Sequence, residues 1–375
     1  MAEHRVTFTV EGSDTPVTVQ APTGSLLAEA ARQAGVELNQ PCGGQGRCGR
    51  CAVQVTEGTV RRRSTLRLSA EDIAQGFALA CQSVVEGNVS VFVPEQQKIE
   101  RRLTTDRTVA EITVPSGYDP ATAQTVRRTH LTLPPPSMDD QRDDWSRLQT
   151  ALRKQAGIQE VSCSLPFLQK MGGTLREGNW EVTAILDTNP EKESAARLIA
   201  LDPGHTPEEE PLWGAAIDIG TTTVTLWLVD LHSGTVRAQV AEYNGQIARG
   251  EDIISRIIYA SKDERSREEM RQRVLETINA LLDRACKRIK TSNGLLTPDR
   301  IVKATVAGNS TMMHLFLGIP AASIRLTPFI TAINHIPPLT GREVGLNIHP
   351  EATVDCLPGV ASYVGADITA GVLSS

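Results

Sequence analysis

The sequence predicts a multidomain protein built from three units of mixed α and β structure. Its 375 residues exceed what one hydrophobic core ordinarily organises, so two or three domains are expected. Two polar stretches, residues 95–123 and 202–211, have the composition of linkers. In the segments before, between and after these stretches, period-two strand patterns occur together with amphipathic helices. This mixture is typical of α+β and α/β domains. We therefore place the domains at 1–94, 124–204 and 205–375, with a linker at 95–123.

Composition and charge narrow the class of protein. With 40% hydrophobic and 22% charged residues, the chain has ordinary globular composition. It contains no run approaching about 18 apolar residues, and its N-terminus lacks the apolar stretch of a signal peptide, so we expect a cytoplasmic protein with no membrane partner. The net charge of −6 argues against nucleic acid as a partner.

The first unit has the pattern of strands wrapped around one short helix. Strands are predicted at 5–10, 16–20, 52–55 and 88–93, and the helix is predicted to be capped by Ser25 and stopped by Gly35. A cysteine-rich loop lies between the helix and the third strand. This order makes an α+β β-grasp ferredoxin the expected fold of residues 1–94.

The cysteines of this unit predict an iron–sulfur cluster. The four residues concerned are Cys42, Cys48, Cys51 and Cys81. Three thiolates on one tight loop and a fourth from a distant element can surround two bridged irons, as in a [2Fe-2S] cluster. Glycines between them allow positive φ, so that backbone N–H groups can point at cluster sulfurs. The first gap is five residues long, which resembles the adrenodoxin-like branch of the ferredoxin fold.

Two other uses of these cysteines are weaker alternatives. A structural zinc site also takes four cysteines, but zinc ribbons pair two C-x2-C knuckles, and Cys81 has no such companion. Disulfides are disfavoured in the cytosol. The remaining cysteines, Cys163, Cys286 and Cys356, are too scattered along the sequence to form a site.

The second and third units are predicted from periodicity alone. The small α+β middle unit has strands at 129–133, 180–186 and 196–201 and a helix at 140–156. No chemistry is indicated in it. The third unit has strands at 214–218, 224–231, 236–243 and 301–306 and helices at 266–291, 310–317 and 366–373. Strands and helices in this order indicate an α/β layered domain.

A Gly-Thr-rich turn in the third unit predicts a phosphate loop. The run from Asp218 to Thr223, Asp-Ile-Gly-Thr-Thr-Thr, joins two predicted strands. Its N–H groups and hydroxyls suit phosphate oxygens, and the carboxylate can hold a magnesium-bound water. An ordinary hairpin turn is the alternative. The pattern is not a Walker loop, because no Gly-Lys-Ser/Thr follows.

This turn resembles the first phosphate motif of the superfamily of acetate and sugar kinases, heat-shock ATPases and actin. Three further segments, 244–256, 306–314 and 363–370, resemble one branch of it, the reductive activators of corrinoid proteins. That branch joins a [2Fe-2S] domain, a linker, a middle domain and a kinase-like ATPase domain. The resemblance implies that residues 205–375 form the first lobe of an α/β kinase-like (actin-type) domain.

The resemblance also assigns roles to individual residues. It implies cluster ligation by the four cysteines and catalytic roles for Asp218 and Thr221. The residues it implies for ATP and Mg²⁺ binding are Asp218, Gly220, Thr221, Thr222, Thr223, Gly308 and Asn309. For the last two, a simple strand-to-helix turn is an equal alternative. The segment around Asp367 resembles the small-residue helix that connects the two lobes. His314 matches no ligand pattern, so we expect a packed or exposed histidine there.

The implied function is ATP-dependent reductive activation of a corrinoid protein of a methyltransferase system, by one-electron reduction of inactive cobalt(II) to cobalt(I). The electron donor is not indicated, and a homodimer is compatible with the pattern. The superfamily needs a second lobe, so we expect this chain to be truncated or a fragment and to lack ATP turnover alone. The alternatives are a ferredoxin-type electron carrier or docking fragment without ATPase activity, and a redox-sensing small-molecule kinase.

Overall fold

The computed structural model describes residues 2–13, 15–96, 119, 122, 124–189, 192–207, 209–291 and 294–374. Nearly all of the predicted linker at 95–123 lies outside these residues. The described chain forms three main sheets, each with its own helices and hydrophobic core. This multidomain arrangement of mixed sheets and helices confirms the predicted fold class.

The N-terminal unit is a mixed sheet that curves around one helix. Its elements are β1 (Glu3–Val10), β2 (Val17–Pro22), α1 (Leu27–Gln33), β3 (Ala52–Glu57), β4 (Val60–Arg62), α2 (Ala70–Ala74), β5 (Phe77–Leu79), β6 (Ser83–Val85) and β7 (Val89–Val93). The main sheet has the order β2-β1-β7-β3-β5, in which β1 and β7 are parallel and the other neighbours antiparallel. Apolar residues of α1, including Leu27 and Ala31, fill the core under this sheet.

The predicted cap of α1 is wrong. Ser25 does not cap the helix; its hydroxyl donates to the Pro22 carbonyl at 2.7 Å. The helix begins at Leu27, and the Glu29 carboxylate accepts the N–H of Leu26 at 3.1 Å. A carboxylate in the first turn therefore satisfies the N–H of the residue at the start of the helix.

The middle unit packs two helices on a four-stranded sheet. Its elements are β8 (Val126–Thr132), α3 (Asp144–Ala156), β9 (Glu160–Ser162), α4 (Leu165–Glu177), β10 (Glu181–Asn189) and β11 (Lys192–Pro203). The sheet order is β8-β10-β11-β9. The predicted helix at 140–156 begins four residues later than expected, because the Asp143 side chain caps it by accepting the Ser146 N–H at 2.9 Å.

The C-terminal unit is a six-stranded mixed sheet with helices packed against it. Its elements are β12 (Trp213–Ile219), β13 (Thr223–Asp230), β14 (Thr235–Tyr243), α5 (Ile253–Ala260), α6 (Glu264–Cys286), β15 (Lys290–Thr291), β16 (Gly294–Leu295), β17 (Ile301–Gly308), α7 (Ser310–Leu317), α8 (Ala322–Arg325), β18 (Leu339–Thr340), α9 (Gly341–Val344), β19 (Thr353–Cys356) and α10 (Ala366–Ser374). The order is β14-β13-β12-β17-β19-β18, with β12, β17 and β19 parallel. The long helix predicted to reach residue 291 ends at Cys286, and its last predicted residues form β15.

The second and third units share an apolar contact. Val126, Ile185 and Ile199 of the middle unit form one buried cluster with Leu212, Leu231 and Val302 of the C-terminal unit. Burial of this surface holds the middle unit against the C-terminal unit. In the part of the chain that the structure describes, no helix is both long and apolar enough to cross a membrane.

One buried charge organises the middle unit, and we predict that its removal is costly. The Arg147 side chain is inaccessible and donates to the Pro134 carbonyl at 3.0 Å and to Asp140 Oδ2 at 2.9 Å. Because these acceptors lose their partner, Arg147→Ala should lower the local unfolding free energy of α3 by about 2–3 kcal/mol. Amide hydrogen exchange of α3 measures this value. The exposed Arg153→Ala on the same helix is the control, and an equal effect of both would contradict the prediction.

Candidate functional site

The four predicted cluster cysteines lie together as two pairs. The loop between α1 and β3 carries Cys42, Cys48 and Cys51, while Cys81 sits in the single 3₁₀ turn after β5. The sulfurs of Cys42 and Cys48 are 3.3 Å apart, as are those of Cys51 and Cys81. These separations are well beyond the ~2.05 Å of a disulfide bond, and all four thiols are free. Two pairs match the demand of two irons that each take two protein sulfurs.

Glycine conformations shape the loop around the sulfurs. Gly43, Gly44, Gly46 and Gly49 all have φ between 65° and 83°, where side chains are disfavoured. Backbone N–H groups of Gln45, Arg47 and Cys48 point at the Cys42 sulfur, and that of Gly46 at Cys81. The loop therefore presents the N–H donors that lower the energy of thiolates and cluster sulfur.

Within each sulfur pair, one thiol is the donor and the other the acceptor. A hydrogen bond from the Cys48 thiol lowers the pKa of Cys42 to about 4, and one from Cys51 lowers the pKa of Cys81, while the same contacts raise the pKa of the donors Cys48 and Cys51. Burial raises the pKa of Cys286 and of Cys356 to about 12. The thiolate is the form that binds iron. Each loop pair thus contains one thiol that ionises readily, Cys42 or Cys81, whereas Cys286 and Cys356 are buried singly and stay protonated.

The geometry also bears on the zinc alternative. Across the described ranges, no three His, Cys, Asp or Glu side chains gather as a site for one metal ion. The cysteines converge in twos instead, around a loop that supplies N–H donors. This arrangement suits a two-iron centre better than one tetrahedral ion.

The predicted phosphate loop is a tight turn between β12 and β13. The Gly220 N–H donates to the Thr223 carbonyl at 2.9 Å. A Cβ at Gly220 would lie 2.5 Å from that carbonyl oxygen, so the turn closes only with glycine. The Asn244 side chain donates to the Gly220 carbonyl at 2.9 Å and holds the turn from the other side.

The remaining predicted nucleotide residues lie beside this turn. Because β17 runs parallel to β12, Gly308 pairs with Ile219 at the end of the strands. The Asn309 amide donates to Thr221 Oγ1 at 3.2 Å, and Asn309 also caps α7. The strand-to-helix turn predicted as the alternative is therefore present, and the residue that caps its helix also contacts the phosphate loop.

A second carboxylate near the loop was missed as a site residue. Burial raises the pKa of Asp218, and the nearby charge of Asp367 raises it further. Asp367 lies in the first turn of α10, and the sequence pattern indicated only that this helix connects two lobes. Facing carboxylates of this kind are stabilised in their ionised form by a divalent cation.

Arg256 connects to the phosphate loop and was not among the predicted site residues. Its guanidinium is fully buried and donates to the Thr221 carbonyl, to Gly250 O at 2.8 Å and to Gln246 Oε1 at 3.1 Å. Burial lowers the pKa of Arg256 to about 10, so it remains charged at neutral pH. No local pattern marks it, because its partners are backbone carbonyls and an amide.

The cysteine loop packs on the segment that Arg256 holds. The Gln40 N–H donates to the Ala248 carbonyl at 2.8 Å, and the Glu251 N–H donates to the Pro41 carbonyl at 2.6 Å. A Cβ at Gly43 would lie 2.6 Å from the Ser255 carbonyl oxygen. The cluster loop and the phosphate loop therefore contact the same stretch of chain, residues 244–256.

His314 is not part of either loop. It is 1% exposed, and its Nε2 accepts the Ala332 N–H at 3.0 Å while its Nδ1 lies 2.6 Å from the Ser310 carbonyl. Burial lowers the pKa of His314. Of the two environments expected for this histidine, packed or exposed, the structure shows the packed one.

Comparisons with known proteins cover almost the whole chain. Residues 8–86 match the model of the 2Fe-2S iron-sulfur cluster binding domain, 119–208 the RACo linker region and 213–375 the RACo middle region. Corrinoid activation enzyme RamQ of Eubacterium limosum is 30% identical over 352 residues, which are 93% of this chain and 52% of that protein. The solved structure of a reductive activator for corrinoid, iron-sulfur protein is 35% identical, has a TM-score of 0.60, and is matched over 99% of this chain and 57% of its own.

A third relative matches only the N-terminal unit. The reductase component of glycine betaine monooxygenase from Pseudomonas aeruginosa (strain UCBPP-PA14) is 33% identical over 89 residues, 24% of this chain and 23% of that protein. The chain spans about half the length of the two relatives that it matches throughout. A 2Fe-2S domain and two RACo regions thus follow one another in this sequence.

We predict that the cluster depends on the paired cysteines alone. Anaerobically prepared protein should hold about two irons per chain, and Cys81→Ser should lose most of that iron and the visible absorption, because one thiolate of a pair is missing. Iron and sulfide analysis with visible spectroscopy measures this. Cys163→Ser, in the middle unit, is the control. Stoichiometric zinc without iron in fresh protein would contradict the assignment.

The phosphate turn should not tolerate a side chain at Gly220. Because a Cβ would meet the Thr223 carbonyl, Gly220→Ala should lower the local unfolding free energy of the β12–β13 hairpin by about 1–3 kcal/mol. Hydrogen exchange of the hairpin amides reports the change. Gly173→Ala, where no atom lies near the added Cβ, is the matched control. Unchanged hairpin protection in Gly220→Ala would show that the close approach is not present in solution.

Proposed function

Because this chain belongs to the RACo family of reductive activators of corrinoid proteins, we propose that it serves ATP-dependent reduction of a corrinoid protein. In the proposed reaction, one electron converts inactive cobalt(II) to cobalt(I). The observation that carries the proposal is that a cysteine loop suited to a cluster and a loop suited to phosphates both contact residues 244–256.

The N-terminal unit provides the redox part. When bound, a [2Fe-2S] cluster accepts and releases one electron at a time. Cys42, Cys48, Cys51 and Cys81 hold it, and the glycine-rich backbone between them donates N–H groups to the sulfurs. The corrinoid protein, a member of a methyltransferase system, is the electron acceptor, and an external reductant reloads the N-terminal unit.

The C-terminal unit provides the nucleotide part. Asp218 and Asp367 would hold a hydrated Mg²⁺, and the N–H groups and hydroxyls from Thr221 to Thr223 would bind phosphate oxygens. Asn309 orients the Thr221 hydroxyl. Gly220 and Gly308 keep the backbone close enough for the turn to form. Asp218 and Thr221 act directly on ATP through its metal ion and its phosphates.

The need for ATP follows from energetics. Moving an electron against ~100 mV costs about 2.3 kcal/mol, and cobalt(I) is a strong reductant that ordinary cellular donors reach only uphill. ATP binding and hydrolysis can favour a conformation in which the transfer proceeds, provided that nucleotide and corrinoid protein prefer the same state. An electron carrier without ATPase activity has the same cluster but no use for the Asp218 loop.

We predict that Asp218→Ala separates the two parts. In an assay with a corrinoid protein and a reductant, this change should lower ATP-dependent reduction of cobalt(II) by about 100-fold or more, because the metal ion loses its carboxylate. The cluster spectrum should not change. Anaerobic spectroscopy of the corrinoid protein, with and without ATP, measures the rate.

The control for this experiment is Asp283→Ala on the exposed face of α6, which should keep the wild-type rate. Reduction at the same rate without ATP in wild-type protein would favour the electron-carrier function. ATP hydrolysis with no reduction of any corrinoid protein would favour a kinase.

A further inference from the structure

The N-terminal and C-terminal units meet in an interface that also includes charged side chains. Arg249 donates to the Leu38 carbonyl at 2.6 Å and pairs with Glu269 at 2.6 Å. At the rim, Arg273 pairs with Glu37 at 2.7 Å. These contacts add to the backbone hydrogen bonds that join residues 40 and 41 to the C-terminal unit, so the cluster loop has a defined position on it.

One cation of the C-terminal unit lies directly against the cluster loop. The Lys262 ammonium is 2.9 Å from the place that a Cβ of Gly44 would occupy, and 4.6 Å from the centre of the Tyr259 ring. It lines a small cavity of about 40 Å³ together with Gln40 and the ligand residue Cys81. Part of the side chain is exposed, but its charged end is held between an aromatic face and the cysteine loop.

Glu29 and Asp263 line the same cavity as Lys262, but neither forms an ion pair with it. Arg32, beside it, pairs with Asp263 at 3.4 Å and donates to Ser266 at 2.8 Å. Within the described part of the chain, no carboxylate lies at ion-pair distance from Lys262.

From this geometry we propose that the C-terminal unit sets the reduction potential of the cluster through the charge of Lys262. Reduction adds one negative charge to the cluster, and a nearby cation stabilises that charge. With the loop packed on α5, the ammonium therefore raises the potential and helps the cluster accept an electron. Separation of the two units removes the ammonium and makes the reduced cluster a stronger donor.

The helix that precedes Lys262, α5, connects the phosphate loop to the cluster loop. Arg256 and Ser255 are neighbours in α5: the first donates to the phosphate loop and the second touches Gly43. A displacement of the phosphate loop would therefore move α5, and with it the surface that contacts the cluster loop at Gly43. This inference depends on the proposed function for its purpose, but the electrostatic effect of Lys262 does not.

The test is a charge series at one position, measured in the cluster-loaded chain without nucleotide or corrinoid protein. Anaerobic redox titration gives the midpoint potential of each variant. Lys262→Arg should keep a potential close to wild type, Lys262→Gln should shift it to a more negative value, and Lys262→Glu should shift it further. Lys287→Gln, which removes an exposed lysine of the same unit, should leave it unchanged.

Amide hydrogen exchange of residues 38–44 shows whether a variant has also loosened the cluster loop, which would change the potential for a reason other than charge. The proposal is overturned if Lys262→Gln has the wild-type potential, if Lys262→Arg shifts as much as Lys262→Gln, or if the potential falls only together with the exchange protection of this loop. A charge-ordered shift without any ATP-dependent corrinoid reduction would retain this inference and reject the proposed function. ATP-dependent corrinoid reduction without a charge-ordered shift would retain the proposed function and reject this inference.

Discussion

The buried guanidinium of Arg256 fixes the geometry on which both sites depend. It has no access to water, so each of its N–H groups needs an acceptor inside the protein. The carbonyls of Thr221 and Gly250 and the side chain of Gln246 serve as acceptors. These belong to the phosphate loop and to the segment that precedes α5. Their relative positions are therefore set by one side chain, and the cysteine loop rests on the result.

The middle unit contributes rigidity to this arrangement. Its sheet shares a buried apolar cluster with the C-terminal unit, and Arg197 reaches across to the Glu351 carbonyl at 2.7 Å. Arg300 of the C-terminal unit pairs with Asp202 at 3.2 Å on the other side. Apolar burial supplies most of the attraction, while the polar contacts fix the orientation. No catalytic chemistry was predicted for this unit, and these contacts join it to the C-terminal unit.

The fold and the two loops could be predicted because their signals are local. Cys42, Cys48 and Cys51 share one short loop, and the run from Asp218 to Thr223 is a continuous motif. The strand β12 is a largely apolar run, and β13 and β14 have clear period-two patterns. The helix α5 was not predicted, because it has only eight residues and its buried positions include Ser255 and Arg256 while Ile254 is 46% exposed. The packing of the cysteine loop on residues 248–255 could not be predicted from the sequence either. It consists largely of backbone hydrogen bonds, to which nearly every residue type contributes alike, between segments far apart in sequence.

The contact between Gly43 and the Ser255 carbonyl has a consequence for the exchange of modules between proteins. Ferredoxin domains occur in many chains, and any of them brings its own cluster loop. A transplanted domain would keep its cluster, but a residue larger than glycine at this position would meet the carbonyl at 2.6 Å. Such a chimera would fold as two separate units that do not lie against each other. The loop sequence is therefore constrained both by the metal centre and by the Ser255 carbonyl of the C-terminal unit. This double constraint favours inheritance of the two units as a pair over their recombination with other domains.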